Sequence, residues 1–450
     1  MSVITEELIQ YIHQSHYEKL PSHVVHEARR SLMNYFAVCI ASYQDPTMLK
    51  AYRILSQFSG KAQASVIGFE NKLDILQACA MNAMAANVFD FDDTHIPTII
   101  HPTAPVAAPL FAISQQKIIS GKEFLSALVM GMEVECRIGN AISPFHYNKG
   151  WHITSTCGVF GAAIGSAKLM GLNQKQILWA LGNAATQACG LVENLGTMSK
   201  SLSVGNAAKN GLLSAICALE NFDGPQNPLE GTRGFLKVFG DQVHVEHLNE
   251  KLGSHWEVLK NTYKPYPCGV VLNPVIEACL EIYEQEQSNP DFLSSIQEIR
   301  IMGNPLLKQR TDRPSIENGR QSQVSGQHAV AVVLHFGQAG LKEFSDEIVN
   351  NEKIQAFYSK VSFTDDTAIA VDGVKIQLIC NDRMIEKQIE HAKGSVSRPL
   401  SDEDLENKLK DQITHHQLKL DAEKIIKLIW SIDYLPDVGL IFQALDFNQS

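Results

Sequence analysis

Within NVFDFDDTHIPTIIHPTAPVAAPLFA (residues 87–112), Asp90, Asp92, Asp93 and His95 crowd into six positions, and His101 follows shortly after. A buried charge is costly unless it is paired, so these groups either form a solvated loop or line a site. Three further stretches join ionisable groups to turn-forming glycine or proline: KGWHITST (149–156) with His152, SKSLSVGN (199–206) with Lys200, and YKPYPCG (263–269) with Lys264. These residue types suit proton transfer and the binding of an anion. Imidazole titrates near working pH, lysine neutralises a carboxylate, and aspartate can hold a ring N–H and stabilise the imidazolium. His152 stands just ahead of a small-residue helix whose N-terminus favours anions. Thr154 or Ser155 is expected to cap that helix, and Lys200 to stand just before a second one.

Each stretch also has a plainer reading. Asp90, Asp92 and Asp93 fit a capped helix end, a lone histidine is more often a hydrogen-bonded structural residue, and single lysines mostly lie on the surface. Aspartate and histidine are also good ligands for divalent ions. However, His95 and His101 are six apart with Pro97 between them, which breaks the i, i+4 geometry of a helical metal motif. No GxSxG elbow, P-loop or GxGxxG fingerprint is present.

The elements that must position these groups follow from patterning. At 450 residues, with 45% hydrophobic and 19% charged, the chain predicts a large core and two domains. A net charge of −11 without a basic stripe excludes nucleic acid as a partner. No apolar run reaches the roughly 18 to 20 residues of a membrane span. The acidic, amphipathic start differs from a basic leader, so the cytoplasm is the expected location. The 9 cysteines show no CxxC pair and are expected to be reduced, buried thiols.

Apolar residues at three- and four-residue spacing predict helices over 24–42, 72–88, 123–142 and 174–188. Small residues dominate 157–167 and 204–218, which predicts helices in close approach. Beyond about residue 259 the pattern changes, and 296–302, 360–363 and 374–380 read as strands, with Asp372-Gly373 as a turn. Helical patterning then returns, with Ser401 and Asp421 as N-caps. The fold class expected is mainly α: a large all-helical domain formed by both chain ends (1–259 and 399–450), with an inserted smaller α+β lid domain (260–398).

Taken together, DFDDTH, HPTAPVAAPLFA, GWHITSTCGVFGAAIGSAKLMGL, SKSLSVGNAAKNG, EGTRGF (230–235), KPYPCG and SGQHAVAV (325–332) resemble the MmgE/PrpD family over nearly the whole chain. That family includes 2-methylcitrate dehydratase, cis-aconitate decarboxylase and iminodisuccinate epimerase activities. The resemblance implies a homodimer, an active site in the cleft between helical and lid domains, no metal or organic cofactor, and a small anionic di- or tricarboxylate substrate. It implies Asp93, His101, His152 and His328 as catalytic residues, and Thr94, His95, Lys200 and Lys264 as substrate-binding ones. His328 stands where relatives can carry tyrosine and would complete the site on lid closure. Ser203 and Asn273 stand where relatives often carry histidine, which leaves the particular activity open. Dehydration, decarboxylation and epimerisation all remain, as does a non-catalytic carboxylate-binding paralogue. Which of His101 and His152 is base and which acid is also open.

Overall fold

The computed structural model describes residues 3–445 and 447. The chain is mainly α and divides into two compact units. One comprises the described residues through Val88, Asp92–Asn261 and the described residues from Asp402 onward; the other comprises Phe89–Phe91 and Thr262–Ser401.

The first unit is a bundle of helices. Ser22–Ser42, Ile75–Asn87, Thr103–Ser114, Gly121–Ile142, Ile153–Leu169, Gln174–Ala185 and Met198–Leu219 form its body, and Asp402–His415 packs on Ser22–Ser42. Local chemistry sets their starts. Ser120 and Asn173 form capping boxes with Glu123 and Gln176, and the Asp74 carboxylate accepts from the amides of Leu76 and Gln77. Asp421 caps Ala422–Trp430, as its pattern predicts.

The small-residue stretches lie where helices cross. Ile153–Leu169 packs against both Gly121–Ile142 and Met198–Leu219. At the latter crossing, a Cβ on Gly211 would lie 2.6 Å from the Val159 carbonyl oxygen and 2.8 Å from the Ala163 nitrogen. Those neighbours are backbone and cannot step aside. Glycine here sets the separation of the two helices that carry His152 and Lys200.

The second unit holds a four-stranded sheet. Its order is Val361–Asp365, Ile296–Gly303, Val374–Cys380, Met384–Ile389; the first pair is parallel and the others antiparallel. Ile301 aligns with Phe363 on one side and Ile376 on the other. Alternate residues of Val374–Cys380 are buried, the period expected of a half-covered strand. Helices Asn273–Glu286 and Gly326–Phe336 supply the other half of this core. Met384–Ile389, whose side chains are mostly polar or exposed, is a strand that the patterning does not predict.

Among the described residues no helix is long and apolar enough to cross a membrane. The cysteines are free thiols, all buried except Cys189 and Cys217.

Gly211→Ala is expected to destabilise the protein and Gly211→Val to do so by about 3 kcal/mol or more, the cost of overpacking against a rigid neighbour. Denaturant unfolding of both variants checks this, and wild-type stability in the valine variant would show that the crossing can relax.

Candidate functional site

The segment from Asp93 to His101 doubles back on itself. A short strand, Asp93–His95, leads into a turn that closes with the His95 amide bonded to the Ile100 carbonyl at 2.8 Å. Ile99 holds φ 62° in that turn. A β-branched residue in the left-handed region is strained, so other contacts must over-determine the loop.

His95 supplies those contacts. It is fully buried, with Nδ1 2.8 Å from the Thr98 hydroxyl and Nε2 2.9 Å from the Glu257 carboxylate. Burial holds the His95 ring below its usual range, so the neutral ring donates from Nε2 and accepts at Nδ1. Burial alone would raise Glu257, but His95 and the Lys260 ammonium at 2.9 Å pull it well below the usual carboxylate range. With both nitrogens taken, His95 anchors the loop, and the expectation that it contacts substrate gives way to that role.

Asp93 and His101 are also placed differently from the expected carboxylate–imidazole pair. The Asp93 carboxylate is engaged by other partners, its Oδ2 accepting from the Thr103 hydroxyl and the Asn261 amide, both at 2.5 Å. Thr103 opens the helix Thr103–Ser114, so the plainer helix-end reading holds in part. It is the Asp93 backbone carbonyl that accepts from His101 Nδ1, at 2.6 Å. The Asp92 carboxylate lies 3.4 Å from the same nitrogen, as does the Thr94 hydroxyl. A carbonyl only accepts, so His101 carries a proton on Nδ1 and its basic lone pair is on Nε2. Burial is the main reason the Asp93 carboxyl is pushed up to about 7, with the Asp92 charge adding and Thr103 opposing.

His152 stands beside this segment, since the His101 amide donates to the Thr154 hydroxyl at 3.1 Å. The helix Ile153–Leu169 begins two residues earlier than a Thr154 cap requires and three earlier than a Ser155 cap, and His152 itself occupies the N-cap position. Ser155 is therefore free of capping and meets the ring instead, at 2.7 Å from Nδ1. Its oxygen is also 2.7 Å from that of Ser203, whose hydroxyl donates to the Lys200 carbonyl at 2.7 Å. Gly190 closes over this group. It holds φ 140°, its carbonyl accepts from the His152 amide at 3.1 Å, and a Cβ there would lie 2.7 Å from that of Ser155. Lys200 lies within the first turn of Met198–Leu219 rather than ahead of it, because Thr197 caps that helix. Its side chain is 7% exposed, so it is no solvated surface lysine.

The structure thus gathers Asp93, Thr94, His95, His101, His152 and Lys200 in the helical unit. Lys264 and His328 belong to the other unit. Lys264 is 1% exposed, with its ammonium 2.8 Å from the Asp90 carbonyl and 3.1 Å from the Asp90 carboxylate. His328 is fully buried and has both ring nitrogens engaged. Nε2 donates to the Glu343 carbonyl at 2.8 Å and Nδ1 accepts from the Tyr358 hydroxyl at 2.7 Å. Burial lowers it to about 4. This is a core histidine, and its expected catalytic role lacks a nitrogen to carry it. Asn273 is buried as the first residue of its helix, and its side-chain amide oxygen Oδ1 has no hydrogen-bond partner among the described residues.

Sequence reasoning passed over Asp92, Thr103, Glu257 and Asn261 as individual partners. Asp92 was visible in the acidic cluster, but nothing in the sequence brings residues 257 and 261 beside residues 93–95.

A helical unit that buries two histidines, two aspartates and a lysine on neighbouring segments has the equipment for acid–base chemistry on an anion. The comparisons agree with that class. Family models described as the MmgE/PrpD N-terminal and C-terminal domains match residues 6–247 and 266–433, and the chain belongs to the MmgE/PrpD family. It is an enzyme of that family's lyase type. Cis-aconitate decarboxylase of Aspergillus terreus is 26% identical, over 99% of this chain and 96% of its own. Cis-aconitate decarboxylase of Mus musculus is 24% identical, over 98% and 93%. 2-Methylcitrate dehydratase of Salmonella typhi is 24% identical, over 69% and 66%.

Asp93→Asn separates the carboxyl's charge from its shape. The folded protein holds the Asp93 proton up to about pH 7, while an unfolded aspartate releases it near pH 4. Wild-type stability from this group therefore falls as pH rises through that window. His146 and His328, both lowered to about 4, act oppositely and lose stability as pH falls below about 6.5. The difference between Asp93→Asn and wild type isolates Asp93. It is expected to grow in the variant's favour from pH 4 to pH 7 and then level off. A pH-independent difference in unfolding free energy would show that Asp93 is ionised throughout.

Proposed function

We propose that this enzyme is a cofactor-independent lyase that moves a proton at a carbon next to a carboxylate in a small di- or tricarboxylic acid. Decarboxylation of a cis-aconitate-like tricarboxylate is the leading reaction, because relatives of that name align along nearly the whole chain. The observation that carries the proposal is the paired placement of His101 and His152. They lie on adjoining segments, and His101 has its tautomer fixed by a backbone carbonyl with a carboxylate alongside.

In a decarboxylation the C–C bond to the departing carboxylate breaks, CO2 leaves, and the electron pair left on carbon takes a proton. His101 suits the acid, because the Asp92 carboxylate 3.4 Å away stabilises its imidazolium. His152, whose Nδ1 faces hydroxyls, suits the base that dehydration or epimerisation would need to remove a C–H proton, which the decarboxylation itself does not require. Lys200, buried in the first turn of its helix, suits a substrate carboxylate that stays in place while charge develops. Lys264 would serve a second carboxylate only by giving up some of its hold on Asp90.

Dehydration is the second reading, favoured by the 2-methylcitrate dehydratase that aligns with two thirds of the chain. There the base removes the C–H proton and the acid protonates the departing hydroxide. Epimerisation would use the same removal and return of a proton, whereas a binding-only protein would use neither.

Incubation with cis-aconitate or 2-methylcitrate in D₂O is expected to place deuterium on the carbon beside a carboxylate, read by NMR. His152→Ala should slow this by at least about a hundredfold. Tight binding of a polycarboxylate with no exchange or conversion would leave only the binding-module reading. Lys200→Met should lower kcat/KM by about 2 to 4 kcal/mol, the loss of a buried charge's partner; unchanged kinetics would remove Lys200 from the site. Prolonged chelation should leave turnover intact, and loss restored by a divalent ion would assign the acidic cluster to a metal.

A further inference from the structure

We infer that Ser155 and Ser203 are positioning residues that set the tautomer of His152 through a one-way chain of hydroxyls anchored on the Lys200 carbonyl. The inference rests on the lyase reading for its catalytic consequence, but its geometry is independent of it.

The direction of the chain follows from donor counting. A carbonyl oxygen can only accept, so the 2.7 Å contact from Ser203 Oγ to the Lys200 oxygen consumes the Ser203 proton. The 2.7 Å contact between the two serine oxygens must then use the Ser155 proton. Ser155 is left with lone pairs only, and it lies 2.7 Å from His152 Nδ1. The ring nitrogen must therefore carry the hydrogen, and the basic lone pair of neutral His152 is on Nε2. Reversing any one of these bonds would set two lone pairs against each other at 2.7 Å. The Ser203 oxygen, 3.4 Å from Nδ1, adds a weaker acceptor in the same sense.

Burial makes this count binding. Ser155 is 1% exposed and Ser203 is 8% exposed, so solvent offers little alternative to the protein partners. The two serines sit on different helices, Ile153–Leu169 and Met198–Leu219, whose separation is fixed at Gly211. Gly190 packs close to Ser155, so that a Cβ there would lie 2.7 Å from the Ser155 Cβ. Ser203 thereby acquires a role of its own in this chain.

The test uses the full-length protein with ¹⁵N-labelled histidine. Long-range proton–nitrogen correlation spectra at pH 8 report the tautomer, with His152 assigned by the signals lost in His152→Gln. Wild type is expected to carry its proton on Nδ1, and Ser155→Ala and Ser203→Ala to shift it wholly or partly to Nε2. With cis-aconitate and 2-methylcitrate as probes, both alanine variants should lose about tenfold or more in kcat, with KM altered less than about twofold. Ser203→Thr keeps the hydroxyl and should recover most of kcat. A wild-type ring protonated on Nε2 would overturn the relay, and so would alanine variants with wild-type tautomer and kcat. Should the alanine variants not fold, the wild-type and Ser203→Thr spectra decide alone. A wild-type ring protonated on Nδ1, in a protein that neither converts nor exchanges either probe, would uphold the relay and sink the lyase reading.

Discussion

One guanidinium holds the frame of the helical unit's candidate site. Arg137, 1% exposed, pairs with Glu133 one turn earlier at 2.8 Å and donates to the carbonyls of His247, Glu250 and His255. Glu133 then accepts the Glu257 amide at 2.8 Å, and the Glu257 carboxylate holds His95. Through these contacts one side chain ties the helix Gly121–Ile142 to an irregular segment and, through it, to the strained turn at Ile99. Removing one partner of such a buried pair costs about 3 to 5 kcal/mol, because the other charge is left uncompensated. The net value of the intact pair is smaller. What it supplies is register: residues 93–101 return to the same place because residue 257 is held there.

The same physics sorts the histidines. His95, His146 and His328 each have both ring nitrogens bonded inside the protein. Burial favours the neutral form of all three, and at His95 it outweighs even the opposing pull of the Glu257 carboxylate. His101 and His152 are buried as well, and each sets a protonated Nδ1 against an oxygen, the Asp93 carbonyl and the Ser155 hydroxyl. Burial alone does not separate a structural imidazole from a reactive one. The pattern of acceptors around it does.

Much of the architecture was legible because period is a local property. The helices at 22–42, 121–142 and 174–185 and the strands at 296–303 and 374–380 lie where apolar spacing puts them, and the small-residue stretches fall at helix crossings. Met384–Ile389 was hidden because its side chains are largely polar and exposed, so it carries little apolar signal. The site was legible as a set of segments and illegible as a set of bonds. Sequence marked Asp93, His101, His152 and Lys200, but no local rule turns the Asp93 carboxylate toward Asn261 and gives its carbonyl to His101. Capping preference pointed to Thr154 or Ser155, and the tertiary position of His152 overrode it. His95 read as a substrate-binding residue and His328 as a catalytic one because their partners, Glu257, Glu343 and Tyr358, are distant in sequence from the motifs that contain them.

The hydroxyl chain ends on the peptide of Lys200, the residue whose ammonium is proposed to meet a substrate carboxylate. Anion capture and proton affinity then share a single turn of helix. A ligand that draws Lys200 toward itself moves the last acceptor of the chain and alters the hydrogen bond at His152 Nδ1. By thermodynamic reciprocity, a change in the protonation of His152 must alter ligand affinity by the same factor. Binding would then take up or release a fraction of a proton, and the heat of association would vary with the ionisation enthalpy of the buffer.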